Sequence, residues 1–461
     1  MSSPTELSTD VVVVGAGFAG LAAATRLNES GVDTVVLEAR DRVGGRAWST
    51  RLDDGTVLDL GCQWIGASHQ RLLHLAKLHG ASTYPQYAEG TNLIRTRGRS
   101  VRFDGKVPVG LGPLTLAALA AAILRLDRMA RSVSVAEPWS TRNAAAWDGQ
   151  TLETWIREHV RTSTARSVLG QVLTGIFAAD PSEVSLLHAL TYIRAGDGLD
   201  HLTGTAGAVQ DACFTNGMQG LAEAMAAGLS GRVRLGEPVR RIRRVLPGVE
   251  VRTDELTVRA DAVVVAVPPT LAGRIDYEPP LPAARDQLTQ RVPQGSSIKC
   301  LAVYETPFWR TDGLSGLVLD CDGPVSMVID ASPEAAGPGI LVGFYEGRHA
   351  RAASGLSSAE RREQVLACFS RHVGERALAP REYHDQDWSQ EPFTRGCYAG
   401  VMPPGAWTGY GHALREPVGP IHWAGTETAL WAMGYVEGAL ESGERAATEV
   451  LAAMTDRRRS R

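Results

Sequence analysis

The sequence predicts an α/β fold of two interleaved domains, in which a discontinuous nucleotide-binding domain is interrupted by a mixed sheet-and-helix (α+β) part. Three observations lead there. Four valines, Val11–Val14, run straight into Gly15-Ala16-Gly17-Phe18-Ala19-Gly20. The continuous apolar run Ala262–Val267 is stopped by Pro268 and Pro269, the mark of a parallel strand buried on both faces. Ile421–Ala424 and a helical pattern from about 435 to 453 restore the same character near the other end of the chain. A length of 461 residues exceeds one ordinary domain, and the 44% of apolar residues suffices for a sizeable core.

The elements follow in order. Strand Val11–Val14, the glycine turn, a helix over Leu21–Asn28, Gly31 and a strand over Thr34–Leu37 make one βαβ unit of the expected size. Asp59–Ile65 closes that first segment. From about 84 to 214 the pattern reads mostly helical, with loops near Pro138 and Pro181. Short strands are expected over Arg232–Leu235, Val239–Ile242, Val249–Thr253 and Thr257–Arg259. A second mixed region, about 290 to 390, predicts strands over Ile298–Tyr304, Leu314–Leu319, Val325–Asp330 and Ile340–Tyr345, then a helix over Ser358–Val373.

Composition excludes several classes. A net charge of −4 gives no reason to expect a nucleic-acid partner. The basic end, 454–461, reads as a solvated tail. The first ten residues are polar and contain no signal-peptide pattern, and six cysteines stand singly, without the paired spacing of a metal site. Isolated thiols suit a reducing cytoplasm. The longest uncharged run, Val107–Leu124, is about long enough to span a bilayer, but Pro108, Gly110, Gly112 and Pro113 break its first part. A helix of roughly three turns remains, so no membrane span is expected.

The chemistry begins in the glycine turn. Gly15 permits the turn, Gly17 lets backbone approach a pyrophosphate, and Gly20 allows close helix–strand packing. The helix N-terminus adds free N–H groups and positive dipole. Glu38 ends the next strand, where a carboxylate can accept from ribose hydroxyls. Directly after it comes Ala39-Arg40-Asp41-Arg42-Val43-Gly44-Gly45-Arg46. Arginines bracketing two glycines suit a second pass of backbone along a pyrophosphate, which an extended FAD requires and NAD does not. Glu427, in Gly425-Thr426-Glu427, falls between a strand and a helix, another place for phosphate or ribityl oxygens.

With these motifs in place the chain resembles the flavin-containing monoamine oxidases. The resemblance rests on GAGFAG, EARDRVGGR, the Asp59–Gly66 segment, EPVRRI, VAVPPT, SSIKC, PFW, RGCY, MPPG, AGTETA and GYVEGA, and covers essentially the whole chain. It implies the two-domain flavin amine oxidase fold, with a Rossmann-like FAD-binding domain over 8–83, 215–289 and 391–453 and a substrate domain over 84–214 and 290–390. Within it, Gly15, Gly17, Gly20, Glu38, Arg40, Arg46, Val239, Glu427 and Val436 fall on FAD-contacting positions. Cys62 stands where relatives usually have glycine.

The resemblance also implies the catalytic set. Tyr398 and Tyr435 match the two tyrosines of an aromatic cage, whose π faces attract the amine nitrogen and restrict its orientation. Lys299, in an otherwise apolar strand, matches a lysine that holds a water beside the flavin and assists oxygen reduction; the competing reading is a strand-edge lysine facing solvent. Cys397 matches the cysteine that bonds covalently to the flavin in some members, and Trp388 an aromatic near the flavin. Ile176, Phe177, Thr203, Gln210, Met327 and Phe344 are the expected substrate pocket, with core packing as the alternative for each. Met327 cannot bind a distal ammonium as a carboxylate would, and Arg194 is the sole cation considered for a substrate carboxylate. An apolar alkyl or aryl-alkyl primary monoamine is therefore expected, oxidised by hydride transfer to FAD with oxygen as acceptor, giving imine and aldehyde, ammonia and hydrogen peroxide. The rivals are a polyamine or L-amino-acid oxidase on the same scaffold and a non-catalytic FAD-bound partner protein. The chain stops soon after its last helix, so no C-terminal membrane anchor is expected; a homodimer is what the resemblance implies.

Overall fold

The computed structural model describes residues 5–333 and 337–459. Its organising element is a five-stranded, all-parallel sheet whose strands come from widely separated parts of the chain. The order is Val233–Arg234, Thr34–Leu37, Val11–Val14, Ala262–Val265 and Ile421–Trp423. Val11, Val12, Val13, Val263, Val264 and Val265 are wholly buried. Helices cover one face and a second five-stranded sheet the other, so both faces must be apolar.

The helix after the glycine turn spans Phe18–Glu29, beginning three residues before the expected Leu21, because Gly17 itself is the N-cap. It packs against the C-terminal helix Val436–Arg459 through small residues, Ala19, Ala22 and Ala23 on one side and Gly443, Ala446 and Ala447 on the other. Close backbone approach is possible only because both surfaces lack bulk. The last turns of this helix extend into the stretch expected to be a solvated tail. Arg457 donates to the Asp261 carbonyl at 3.0 Å, which ties that part of the helix to the residue before strand Ala262–Val265; 460–461 lie outside the described residues.

A seven-stranded sheet forms the second half. Its order is Glu382–Asp387, Ser297–Tyr304, Gly339–Glu346, Val325–Asp330, Leu314–Asp320, Thr91–Thr96 and Arg99–Phe103. The last two strands correct the expectation that 84–214 is mostly helical. They form a hairpin through Arg97 and Gly98, both at positive φ (54° and 74°), and join the sheet by parallel pairing of Thr91–Thr96 with Leu314–Asp320. That partner lies more than two hundred residues away. The helical part that follows includes Pro113–Ala130, longer than the three turns expected, with Pro113 at its first turn. Among the described residues, no helix is long and apolar enough to cross a membrane.

Gly443 tests the helix contact. A Cβ there would stand 2.2 Å from the Ala19 carbonyl oxygen. Gly443→Ala is expected to destabilise the protein by about 1–3 kcal/mol through overpacking, read as a lower thermal midpoint and weaker FAD retention.

Candidate active site

One cavity of about 1470 Å³ runs from the glycine turn to the seven-stranded sheet. At its first end, Gly15, Gly17, Glu38, Arg40, Arg46 and Val239 line the wall. The Phe18–Glu29 helix opens there with no side chain capping its N-terminus and no acid in its first turn, so its N–H groups and dipole are left for a ligand. Glu38 is buried and receives the Ala16 N–H on Oε2 (2.7 Å) and the Arg40 N–H on Oε1 (3.0 Å). Each oxygen keeps a lone pair for a hydroxyl.

The arginine-glycine segment makes the second pass expected of it. Gly44 donates to the Ala16 carbonyl at 2.9 Å and sits at φ 101°, Gly45 at φ 61°. A Cβ on Gly45 would stand 3.3 Å from the Gly17 Cα, so the two glycine runs lie backbone to backbone. Arg42 closes this loop by donating to the carbonyls of Val43, Gly45 and Ala47, a role the sequence reading did not assign. Arg40 reaches Thr394 (2.5 Å) and Glu391 (3.2 Å), and its buried Nε has no hydrogen-bond partner among the described residues. Uncapped N–H groups, a partly satisfied carboxylate and a glycine-walled slot are the donor set that a dinucleotide needs, so the residues fit FAD.

Two residues of the expected cofactor set, Glu427 and Gly20, are outside the cavity lining. Glu427 lies beneath Arg46, which donates to Oε1 at 2.7 Å and Oε2 at 3.2 Å, while the Gly400 N–H donates to Oε1 at 3.1 Å. Burial would raise this carboxyl, but the Arg46 guanidinium more than offsets it and the pKa falls below the usual value. Gly20 also lies behind the wall: a Cβ there would meet the Gly15 carbonyl oxygen at 1.9 Å, the close helix–strand packing expected of this glycine. Val436 and Cys62 both line the cavity.

At the other end stand Lys299, Cys397, Tyr398 and Tyr435. Lys299 is on the interior strand Ser297–Tyr304, every residue of which is buried, so the solvent-facing alternative does not hold. Its ammonium donates to the Gly61 carbonyl at 2.9 Å and to Gln63 Oε1, and sits 5.7 Å from the Trp64 ring centre. Burial pushes its pKa down to about 8, against the pull of Asp59. One donor of the ammonium remains for a further partner. Cys397 is 6% exposed, and burial pushes its thiol up to about 12 although Arg46 and Lys299 act the other way.

The two tyrosines are held from different directions. Tyr435 packs on Tyr192 and His69, ring centres 6.3 and 5.6 Å apart. Tyr398 packs edge-on to Phe344 at 6.4 Å and its hydroxyl donates to Glu346 Oε1 at 2.8 Å. Trp388 lines the cavity nearby and donates to the Leu60 carbonyl. Of the expected substrate pocket, Ile176, Thr203, Gln210, Met327 and Phe344 line the cavity. Phe177 does not: it ends its helix in the core, against His188 and Tyr192, because one residue of helical rotation separates it from Ile176. Arg194 is exposed on its helix and is not in the cavity wall. Gln63, Tyr192 and Glu346 were missed by sequence reasoning. For Glu346 a signal existed: it lies two residues after Phe344 on the same strand, hence on the same face.

Comparison with known proteins agrees with this geometry. A family model described as flavin containing amine oxidoreductase matches residues 18–451. A Mycobacterium tuberculosis protein, AofH, provisionally named as a flavin-containing monoamine oxidase, is 43% identical over 445 residues, covering 96% of this chain and 97% of its own. An L-amino acid dehydrogenase of Synechocystis is 36% identical over 96% of this chain and 95% of its own. The solved structure of putrescine oxidase bound to putrescine superposes with a TM-score of 0.93 at 35% identity, over 97% of this chain and 100% of that one. The chain therefore belongs to the flavin-containing amine oxidoreductase family, and is an FAD-dependent amine-oxidising enzyme.

Proposed function

We propose that this enzyme oxidises a primary monoamine with an apolar alkyl or aryl-alkyl body, with oxygen as the electron acceptor. The observation that carries this reading is the meeting of two aromatic rings, Tyr398 and Tyr435, and a buried lysine in one cavity with the dinucleotide cradle. FAD, when bound, supplies the acceptor for two electrons from the carbon next to the amine nitrogen.

The chain's own residues do the rest. Tyr398 and Tyr435 present π faces to a cationic or neutral amine and limit the directions from which it can approach. Ile176, Met327 and Phe344 give an apolar wall for the amine's body, and Gln210 can accept from or donate to its polar end. Lys299, held by Gly61 and Gln63, fixes one cationic donor in a buried place where developing negative charge would be stabilised strongly. Arg46, with Glu427, places the backbone of the Tyr398 segment by donating to its carbonyl at 2.6 Å. An amino acid would need a cation for its carboxylate, and Arg194 is outside the cavity. The resemblance to putrescine oxidase makes a diamine the second reading. Attachment of FAD through Cys397 belongs to the same proposal, supported by the position of Cys397 in the cavity wall.

Anaerobic addition of benzylamine is expected to bleach the flavin spectrum of the purified enzyme, faster than putrescine or phenylalanine does. Faster bleaching by putrescine would replace the monoamine reading with the diamine one. Tyr435→Phe should lower kcat/KM modestly, within about tenfold, and Tyr435→Ala by on the order of a hundredfold or more, since misplaced substrate costs that much; unchanged steady-state kinetics in Tyr435→Ala would remove the cage. Lys299→Met should leave flavin reduction largely intact and slow reoxidation by oxygen at least about tenfold, seen in stopped flow. After acid precipitation the yellow colour should stay with the pellet and move to the supernatant in Cys397→Ala; a colourless wild-type pellet would dismiss the covalent bond.

A further inference from the structure

Glu346 is a buried carboxylate in the amine cavity that the mechanism above does not use. It closes the interior strand Gly339–Glu346, is 1% exposed and lines the cavity. Oε1 accepts from the Tyr398 hydroxyl at 2.8 Å and Oε2 from the Ser326 hydroxyl at 2.7 Å. Neither partner carries charge. Across the neighbouring strand Glu346 faces Ser297. From the helix Ser163–Phe177 it faces Gly175, where a Cβ would stand 3.6 Å from Oε2. Lys299, two residues beyond Ser297 on its strand, gives its hydrogen bonds to Gly61 and Gln63. Among the described residues no ion pair holds Glu346, whereas the carboxylates of Glu38, Asp330 and Glu427 each have an arginine. Burial pushes Glu346 up to about 7, even though Ser326 and Tyr398 hold it down.

The other wall of the cage is built differently. Tyr435 packs on Tyr192, a phenol, and burial takes His69 beside it down to about 4, which leaves that imidazole uncharged. The cage therefore has one wall with a neutral partner and one wall with an ionisable partner. A phenol that donates to a carboxylate makes a shorter, stronger bond than one that donates to a neutral acceptor, and electron density moves into its ring. Attraction of a cation to a ring face is electrostatic and grows with that density.

We infer that Glu346 is a positioning residue of the amine site: it fixes the Tyr398 ring by accepting from its hydroxyl and, as a carboxylate, makes that wall of the cage more attractive to a cation. This rests on the reading of the cavity as an amine site. The sign follows from a carboxyl raised by burial. Below about pH 7 Glu346 is largely neutral and the effect is lost; above it the charge is present and cations bind more tightly.

The test uses the FAD-loaded enzyme and benzyltrimethylammonium, a cation with no proton to lose and no nitrogen lone pair to oxidise, with binding measured by calorimetry between pH 6 and 7.5. The wild type should bind it several-fold more tightly at the upper pH, on the order of fivefold for a ring contact strengthened in a desolvated site. Glu346→Gln, which keeps an acceptor for Tyr398 but cannot ionise, should bind with the wild type's low-pH affinity throughout; Glu346→Leu should bind more weakly still. Tyr398→Phe keeps the ring and removes the hydroxyl, and should abolish the pH step. A pH-independent wild type, or a step retained in Glu346→Gln, would overturn the inference. A step retained in Tyr398→Phe would overturn the positioning role, since Glu346 would then meet the cation directly. A rise absent between pH 6 and 7.5 that appears only when the titration is extended to pH 8 and above belongs to Lys299 and counts against Glu346. The amine reading fails separately: no amine would bleach the wild-type flavin, whatever the quaternary cation does.

Discussion

The bidentate pair between Arg46 and Glu427 is the constraint on which the site depends. Its partners lie 381 residues apart in sequence. Arg46 leaves the glycine-rich pass beside the cofactor cradle, and Glu427 leaves the segment after the last strand of the parallel sheet. The same guanidinium donates to the Tyr398 carbonyl, and the same carboxylate receives the Gly400 N–H. One ion pair thus holds the cradle, the Cys397–Tyr398 segment and the approach to the C-terminal helix in one frame. Removing one partner of a buried pair of this kind costs about 3–5 kcal/mol, because the other charge is left without compensation. Arg40 with Glu391 and Thr394 repeats the connection a short distance away.

Around that frame the protein brings two different kinds of surface together. The parallel sheet supplies backbone: uncapped N–H groups and glycines that let chain approach chain. The seven-stranded sheet supplies side chains, because its strands alternate. Phe344 and Glu346 share a face of one strand, Ser297 and Lys299 a face of the next. A redox cofactor needs the first kind of surface and an amine needs the second. Their junction is a cavity larger than the roughly 300–1,000 Å³ of a single small-molecule site, as expected for a dinucleotide and a substrate side by side.

Charge is distributed unevenly in that junction. Lys299 is buried with carbonyl acceptors, and its lowered pKa reflects the cost of keeping an ammonium there. Glu346 is buried with hydroxyl donors and, among the described residues, no ion-pair partner. Both are expensive as purely structural groups, since an apolar residue of similar volume would pack without desolvation cost. They lie on one face of neighbouring strands in one cavity, Lys299 opposite Phe344 and Glu346 opposite Ser297.

Much of this was present in the sequence, and the physical reason is locality. The glycine turn, the strand ending at Glu38, the doubly buried run before Pro268 and the strands of 297–346 each follow from a short window, because backbone conformation and two-sided burial leave a pattern within a few residues. The resemblance then assigned Lys299, Cys397, Tyr398 and Tyr435 by motif. Tertiary structure alone decided which groups face each other. The hairpin of Thr91–Thr96 and Arg99–Phe103 has its sheet partner more than two hundred residues away, so no local pattern marked it. Ile176 and Phe177 look alike in sequence, but one helical step sends the first to the cavity and the second to the core. Nothing local in the sequence shows that the Glu427 carboxylate meets Arg46, or that the Glu346 carboxylate meets Tyr398. Sequence determined the elements because their causes are local; the pairing of charges and rings, which sets the chemistry, depends on contacts that only the folded chain makes.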